Sequence, residues 1–299
     1  MPRHARALLL LLLALVPLLA LPARAATPAA APVGPGDVYL ALGDSLPAGF
    51  EAVDDGQPGF PTPLHAALRG LRPGIALENL GRATTGAGAG GETSTTFRAP
   101  GGQLEQAVAF IRAQRAAGKV VSPVTLSIGG NDAVGVILPG STTTVTAALT
   151  LYRANLRAIL DTLLAALTED GARTGDLIVQ NYYNPYPGLA DDSRYQLLLN
   201  GVNPDRDLAR FNRVIAEVVA EIEAERGVSI PIADVYTPFL GREALYTYVS
   251  IPYPSPQEVL SNPVLFDFHP RPAGHRAIAD AFLEASGYTT TIYLPVLVR

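Results

Sequence analysis

The chain has 299 residues, a formal charge of −5 and no cysteine. Disulfides and thiolate metal sites are thereby excluded, and an acidic chain without a basic cluster is a poor partner for nucleic acid or an anionic membrane surface. The length suffices for one domain with a large core, and neither a repeat nor a mid-chain linker divides it.

Residues 1–25 read as a secretory signal: Arg3 and Arg6, an apolar run from Ala7 to Leu21, and Ala23-Arg24-Ala25 as a small-residue cleavage site. Pro17 interrupts the run, which is shorter than the roughly 20 residues of a spanning helix. A retained anchor is the alternative. No other stretch is long enough to span a membrane, so an exported protein is expected. Residues 26–36 have linker composition, and 37–288 form the expected domain.

Val38-Tyr39-Leu40-Ala41-Leu42 predicts a buried strand that stops at Gly43-Asp44-Ser45. Pro61 to Arg69 predicts a short helix and Ile75 to Leu80 a second strand, followed by a Gly-rich loop from Gly86 to Ser94. A helix is expected from about Leu104. Val120 to Ile128 reads as a third strand ending in Gly129-Gly130-Asn131-Asp132. Further helices are expected over Val145–Leu167, Leu208–Arg226 and Pro272–Ala285, with strands at Leu177–Tyr182 and Ile230–Val235. Two long Pro- and Tyr-rich loops, Tyr183–Pro204 and Tyr236–Leu265, interrupt the alternation. Residues 289–299 form a tail, an edge strand or an attachment segment. Strands alternating with helices predict a parallel sheet of five strands covered on both faces, a three-layer α/β/α sandwich.

Several residues can carry chemistry. Ser45 falls at the carboxyl end of a strand, where open α/β sheets place their ligands, although Gly-Asp-Ser is also ordinary turn composition. Three histidines follow the signal. His65 and His275 lie in expected helices, whereas His269 sits in a loop before the last helix and is suited to take a proton near neutral pH. Asn131 closes another strand, and its amide is a possible oxyanion donor or a helix cap.

Gly43-Asp44-Ser45-Leu46, the Gly-rich loop, Gly129-Gly130-Asn131-Asp132 and His269-Pro270 occur in that order and span nearly the whole chain after the signal. This arrangement resembles the SGNH, or GDSL-type, hydrolase superfamily of esterases, lipases, thioesterases and carbohydrate acetylesterases. The resemblance implies a flavodoxin-like sheet and a carboxylic ester hydrolase that needs no cofactor or metal. It makes Ser45 the nucleophile and His269 the general base. The oxyanion hole would comprise the Ser45 N–H, a glycine N–H and Asn131. Gly91 fits the glycine best, with Gly86 as second choice because residues are inserted before it. The family places aspartate three residues before the histidine, but that position is Phe266; the aspartate is Asp267, two before. Either Asp267 or a backbone carbonyl orients His269.

Gly86, Gly88 and Gly91 also match a dinucleotide-binding Gly-x-Gly-x-x-Gly, but after the second strand rather than the first, and Glu92 stands where a phosphate loop needs lysine. A metal site is poorly supported by His269 and His275 at their spacing. A binding module that kept the fold and lost activity is a further alternative. Tyr246, Tyr248, Ile251 and Tyr253 are candidates to line an acyl pocket or to stack on a sugar, which leaves lipid esters and acetylated carbohydrates both open.

Overall fold

The three most apolar runs become the interior strands of one sheet. The computed structural model describes residues 31–49, 58–83, 91–137, 143–199 and 201–288. The signal, Gly86 and the tail lie outside them. Strand β1 (Val38–Gly43), β3 (Val121–Ser127) and β4 (Leu177–Gln180) are buried at every position. Strand β2 (Ala76–Asn79) is partly exposed throughout and lies at one edge; β5 (Ile232–Ala233) forms the other. The order is β2-β1-β3-β4-β5, all parallel, the expected flavodoxin-like arrangement. Continuous apolar runs are what a sheet covered on both faces requires.

Helix α2 (Pro61–Leu71) packs with α8 (Pro272–Ser286), and Phe60 stacks on Phe282 with ring centroids 5.0 Å apart. The opposite layer holds α4 (Gln103–Ala116), α6 (Val145–Ala166) and α7 (Pro204–Arg226), with Tyr152 of α6 against Phe211 of α7 at 5.5 Å. Three short helices complete the frame: α1 (Ser45–Ala48), α3 (Ser94–Phe97) and α5 (Gly130–Ile137). The core runs from the sheet into both layers, with Leu40, Leu42, Ile159, Leu163 and Val218 fully enclosed.

Three local features differ from the sequence expectation. Helix α7 begins at Pro204 rather than Leu208, because Asn203 accepts the Arg206 N–H (2.9 Å) and Pro204 supplies the φ of a first helical turn. The long loops carry short helices of their own, at Gln196–Leu199, Tyr236–Phe239, Glu243–Tyr246 and Pro256–Ser261. They meet in a small second core in which Tyr195 and Phe266 stack at 5.5 Å and Tyr186 and Phe266 at 4.5 Å. The last linker residues are bonded to the domain: Val33 and Gly34 donate to the Asp176 carboxylate at 3.1 and 2.9 Å.

Because Leu163 is fully buried in α6, Leu163→Ala is expected to lower the unfolding free energy by roughly 2–5 kcal/mol, the range for emptying such a site. Urea denaturation checks this; a change under about 1 kcal/mol would show that the α6 layer repacks.

Candidate active site

At the end of β1 two backbones touch. A Cβ on Gly43 would lie 1.8 Å from the Ser127 carbonyl oxygen of β3, and its φ of +138° suits glycine alone. Asp44 then donates its N–H to that carbonyl (3.0 Å) and turns the chain off the sheet. Its carboxylate Oδ1 accepts the Leu46 N–H (3.1 Å), capping α1, of which Ser45 is the first residue. Helix α1 ends at Gly49 in the left-handed region. The strand, cap and glycine together hold Ser45 in the turn above the sheet, 4 % exposed.

His269 reaches Ser45 from the other end of the chain. Its loop is pinned by Tyr248, whose N–H donates to the His269 carbonyl (3.1 Å), and by Arg271, whose N–H donates to Tyr246 O (2.7 Å). Asp267 Oδ1 accepts the His269 backbone N–H at 3.0 Å and meets its Nδ1 at 2.5 Å. The aspartate thus folds back on the residue two positions later and grips it twice. With Nδ1 donating to Asp267, Nε2 is left as an acceptor, and the Ser45 hydroxyl donates to it over 3.0 Å. Both Asp267 and His269 are buried. Asp267 is thus hydrogen-bonded to the His269 ring and backbone, and the altered spacing is accommodated by this turn.

Asn131 stands in the first turn of α5 and lines the same cleft as Ser45. One N–H of its amide donates to Glu92 O (2.9 Å), leaving the second for another acceptor. Gly91 is pressed against that amide: a Cβ there would lie 2.5 Å from Asn131 Nδ2. Only glycine allows the Gly91 backbone so near. The Gly91 loop is tied down by Asp132, whose carboxylate accepts the Ser94 N–H (2.8 Å) and hydroxyl (2.5 Å). Asn155 of α6 donates to Ser94 Oγ (3.0 Å) and Thr95 Oγ1 (2.9 Å). The remaining histidines lie in helices as expected: His65 donates from Nε2 to Ile75 O (2.9 Å), and His275 is buried in α8.

An apolar cleft opens beside Ser45, about 570 Å³ counted to its open mouth. Val134, Tyr182, Tyr183, Tyr186, Leu208 and Phe268 form its walls. The Tyr183 and Tyr186 hydroxyls turn away to donate to the Phe268 and Phe266 carbonyls, at 2.8 and 2.7 Å. The Asn184 amide is occupied as well, by Asp205 (2.7 Å) and by the Tyr186 N–H (2.9 Å). The residues expected from sequence to line an acyl pocket do not line this cleft. Tyr246 packs edge-on against Phe239, Arg271 covers the Tyr248 ring, Tyr253 joins the second core, and Ile251 is 40 % exposed. Their spacing in a Tyr-rich loop could not distinguish structural from lining positions.

Burial pushes the Asp44 carboxyl up to about 7; the Asp132 carboxylate adds to the rise, and the Leu46 and Gly130 N–H groups oppose it. Burial raises Asp132 too, against the Ser94 hydrogen bonds. Among the described residues no group of three or more metal-ligating side chains is present, and no helix is long and apolar enough to cross a membrane.

The model of the GDSL-like lipase/acylhydrolase family matches residues 41–277. The acetylxylan esterase Axe2 from Geobacillus stearothermophilus has a similar structure, with a TM-score of 0.54 and 19 % identity, covering 86 % of this chain and 97 % of that one. A protein assigned as a GDSL-like lipase from Parabacteroides merdae gives a TM-score of 0.53 and 15 % identity, covering 86 % and 99 %. At these identities the likeness shows the fold. No curated protein sequence matches the chain.

A carboxyl whose pKa is raised from about 3.9 stabilises the fold below that value and ceases to as the pH passes through its folded pKa. Asp44→Asn, which keeps an oxygen for the Leu46 N–H, is therefore expected to lose less stability than the wild type between about pH 4 and pH 8, by an amount on the order of a few kcal/mol. Urea titrations at both pH values check this; parallel losses would show that Asp44 is not the buried group responsible.

Proposed function

Because the chain belongs to the GDSL-like lipase/acylhydrolase family, we propose that it is an exported serine esterase that transfers an acyl group to water through an acyl-enzyme on Ser45. The observation that carries this reading is the continuous path from Asp267 through His269 to Ser45, at 2.5 and 3.0 Å. Ser45 Oγ attacks the ester carbonyl while its proton passes to His269 Nε2. Asp267, bonded to Nδ1, steadies the imidazolium that forms. The carbonyl oxygen gains negative charge and is met by the free N–H of Asn131 together with the Ser45 and Gly91 N–H groups. His269 returns the proton to the departing alcohol. It then takes a proton from water, whose oxygen attacks the acyl carbon, and delivers that proton to Ser45 Oγ as the carboxylic acid is released.

The cleft supports an acyl chain as the bound group. Apart from Asp44, Asn131 and Asn184 beside Ser45, its lining is mostly aliphatic or aromatic, and the Tyr183, Tyr186 and Asn184 polar atoms are engaged within the protein, whereas a sugar needs such groups free. Export rests on the signal-like residues 1–25, and N-terminal sequencing of the secreted protein is expected to begin at Ala26.

Ser45→Ala and His269→Ala are each expected to remove nearly all hydrolysis of a short-chain aryl ester without changing the circular-dichroism spectrum. Wild-type turnover in Ser45→Ala contradicts the reading, and a wild-type protein that takes no fluorophosphonate on Ser45 points to a binding module. Asn131→Ala is expected to lower kcat by about 100-fold or more with KM little altered, as loss of one oxyanion donor does. Over acyl chains from acetyl upward, kcat/KM should rise by about three- to fourfold for each methylene the cleft can bury. Preference for an acetylated oligosaccharide over this series would favour a carbohydrate acetylesterase.

A further inference from the structure

We infer that Gln103 is a positioning residue for the Ser45 nucleophile, an inference that rests on the serine-esterase reading above. Gln103 is the first residue of α4 and is fully buried. A buried primary amide must find partners for its polar atoms, and both of these partners lie on one residue of β1. Gln103 Oε1 accepts the Gly43 N–H at 2.6 Å, and its Nε2 donates to Gly43 O at 2.9 Å.

The reason lies in the sheet. In a parallel ladder a residue's N–H and C=O point to the same neighbouring strand. Those of Gly43 point toward the β2 side, where β2 ends at Asn79 but the chain beyond it keeps the ladder spacing: the Leu80 N–H donates to Ala41 O (2.9 Å) and the Arg82 N–H to Gly43 O (3.1 Å). The Gln103 side-chain amide closes this end of the edge, taking the Gly43 N–H and sharing Gly43 O with the Arg82 N–H. Gly43 has no side chain and no room for one. Its position at the end of the sheet is therefore set by hydrogen bonds to the backbone of Gly43 and Asp44: Asp44 N–H to Ser127 O on one side, the Gln103 amide and the Arg82 N–H on the other.

The same segment carries an oxyanion donor at its other end. Gly91 rests on Asn131, Ser94 is fixed by Asp132, and α3 leads through the tight turn at Gly102 into Gln103. Gly102 donates to Ala99 O (2.7 Å) and has no space for a Cβ, which would lie 2.6 Å from that oxygen. Residues 91–103 are thus a short brace with the oxyanion glycine at one end and the grip on the nucleophile's strand at the other. Loosening Gln103 alters the placement of Ser45 relative to Asn131 and Gly91, and a displacement on the order of 1 Å is enough to lower turnover by about 100-fold.

The test compares wild type with Gln103→Met, which keeps the bulk and removes both bonds, and Gln103→Glu, which keeps the acceptor and, when neutral, the donor. The readouts are kcat and KM on a short-chain aryl ester and the second-order rate of fluorophosphonate labelling at Ser45, each referred to folded protein. Gln103→Met is expected to lower kcat and the labelling rate together by about 10- to 100-fold, with KM changed less than about threefold, and Gln103→Glu to lie nearer the wild type. Wild-type kcat and labelling in folded Gln103→Met would overturn the inference and leave Gln103 with a purely structural role. If that variant does not fold, Gln103→Glu decides. A loss of kcat and labelling that diminishes relative to the wild type from about pH 8 to pH 6 supports the role; rates equal to the wild type at both values overturn it. If wild-type protein neither labels at Ser45 nor turns over the ester, the esterase reading fails and this inference falls with it.

Discussion

The contact on which the rest depends is backbone on backbone: Gly43 of β1 against Ser127 of β3. The two strands run side by side to their carboxyl ends, and Asp44 donates to the last carbonyl of its neighbour before the chain leaves the sheet. Nothing larger than hydrogen fits at Gly43, so the turn above it has little freedom. Ser45 inherits that restriction. So does Asn131, because β3 continues through Ile128 and Gly129 into α5. The candidate nucleophile and the candidate oxyanion donor follow adjacent strands whose separation is set by the sheet itself.

Around that fixed pair the protein arranges groups from distant parts of the chain. His269 meets Ser45 across 224 positions of sequence, Gln103 meets Gly43 across 60, and Asp132 meets Ser94 across 38. Each is a polar group buried or half-buried with its partner, where hydrogen bonds are strong and an unpaired atom is costly. The arrangement gives little through ion pairs. The arginine–glutamate contacts between α6 and α7, such as Arg153 with Glu217, are exposed and worth about 0–1 kcal/mol each. Stability comes from the apolar layers, and accuracy at the site from the buried polar contacts.

Much of this was legible in the sequence where the signal is local. Apolar runs ending in Gly-Asp-Ser and Gly-Gly-Asn-Asp located two strand ends, and alternation with helical periods implied the parallel sheet and its layers. Asp267 was ambiguous by spacing, since its ability to grip His269 twice depends on how the loop folds back. The helix start at Asn203-Pro204 carried a local signature that hydrophobic periodicity alone overlooks. The cleft was not legible. Tyr183 and Tyr186 lie in one long loop and Phe268 beside the histidine, while the tyrosines of the other loop serve packing. Composition is the same for both sets, and only tertiary contacts separate them. Gln103 was silent for the same reason: a glutamine opening a helix looks like surface until the fold brings its amide to the end of β1.

The central claim is that Ser45 carries the acyl group between two halves of a hydrolysis. Acid-quenching the protein during turnover of an activated aryl ester and mapping its peptides by mass spectrometry tests this most directly. The account predicts one acyl adduct, on the peptide containing Ser45, that appears before steady state and is absent in Ser45→Ala. Sustained turnover with the adduct on another residue, or undiminished turnover in Ser45→Ala, would contradict it.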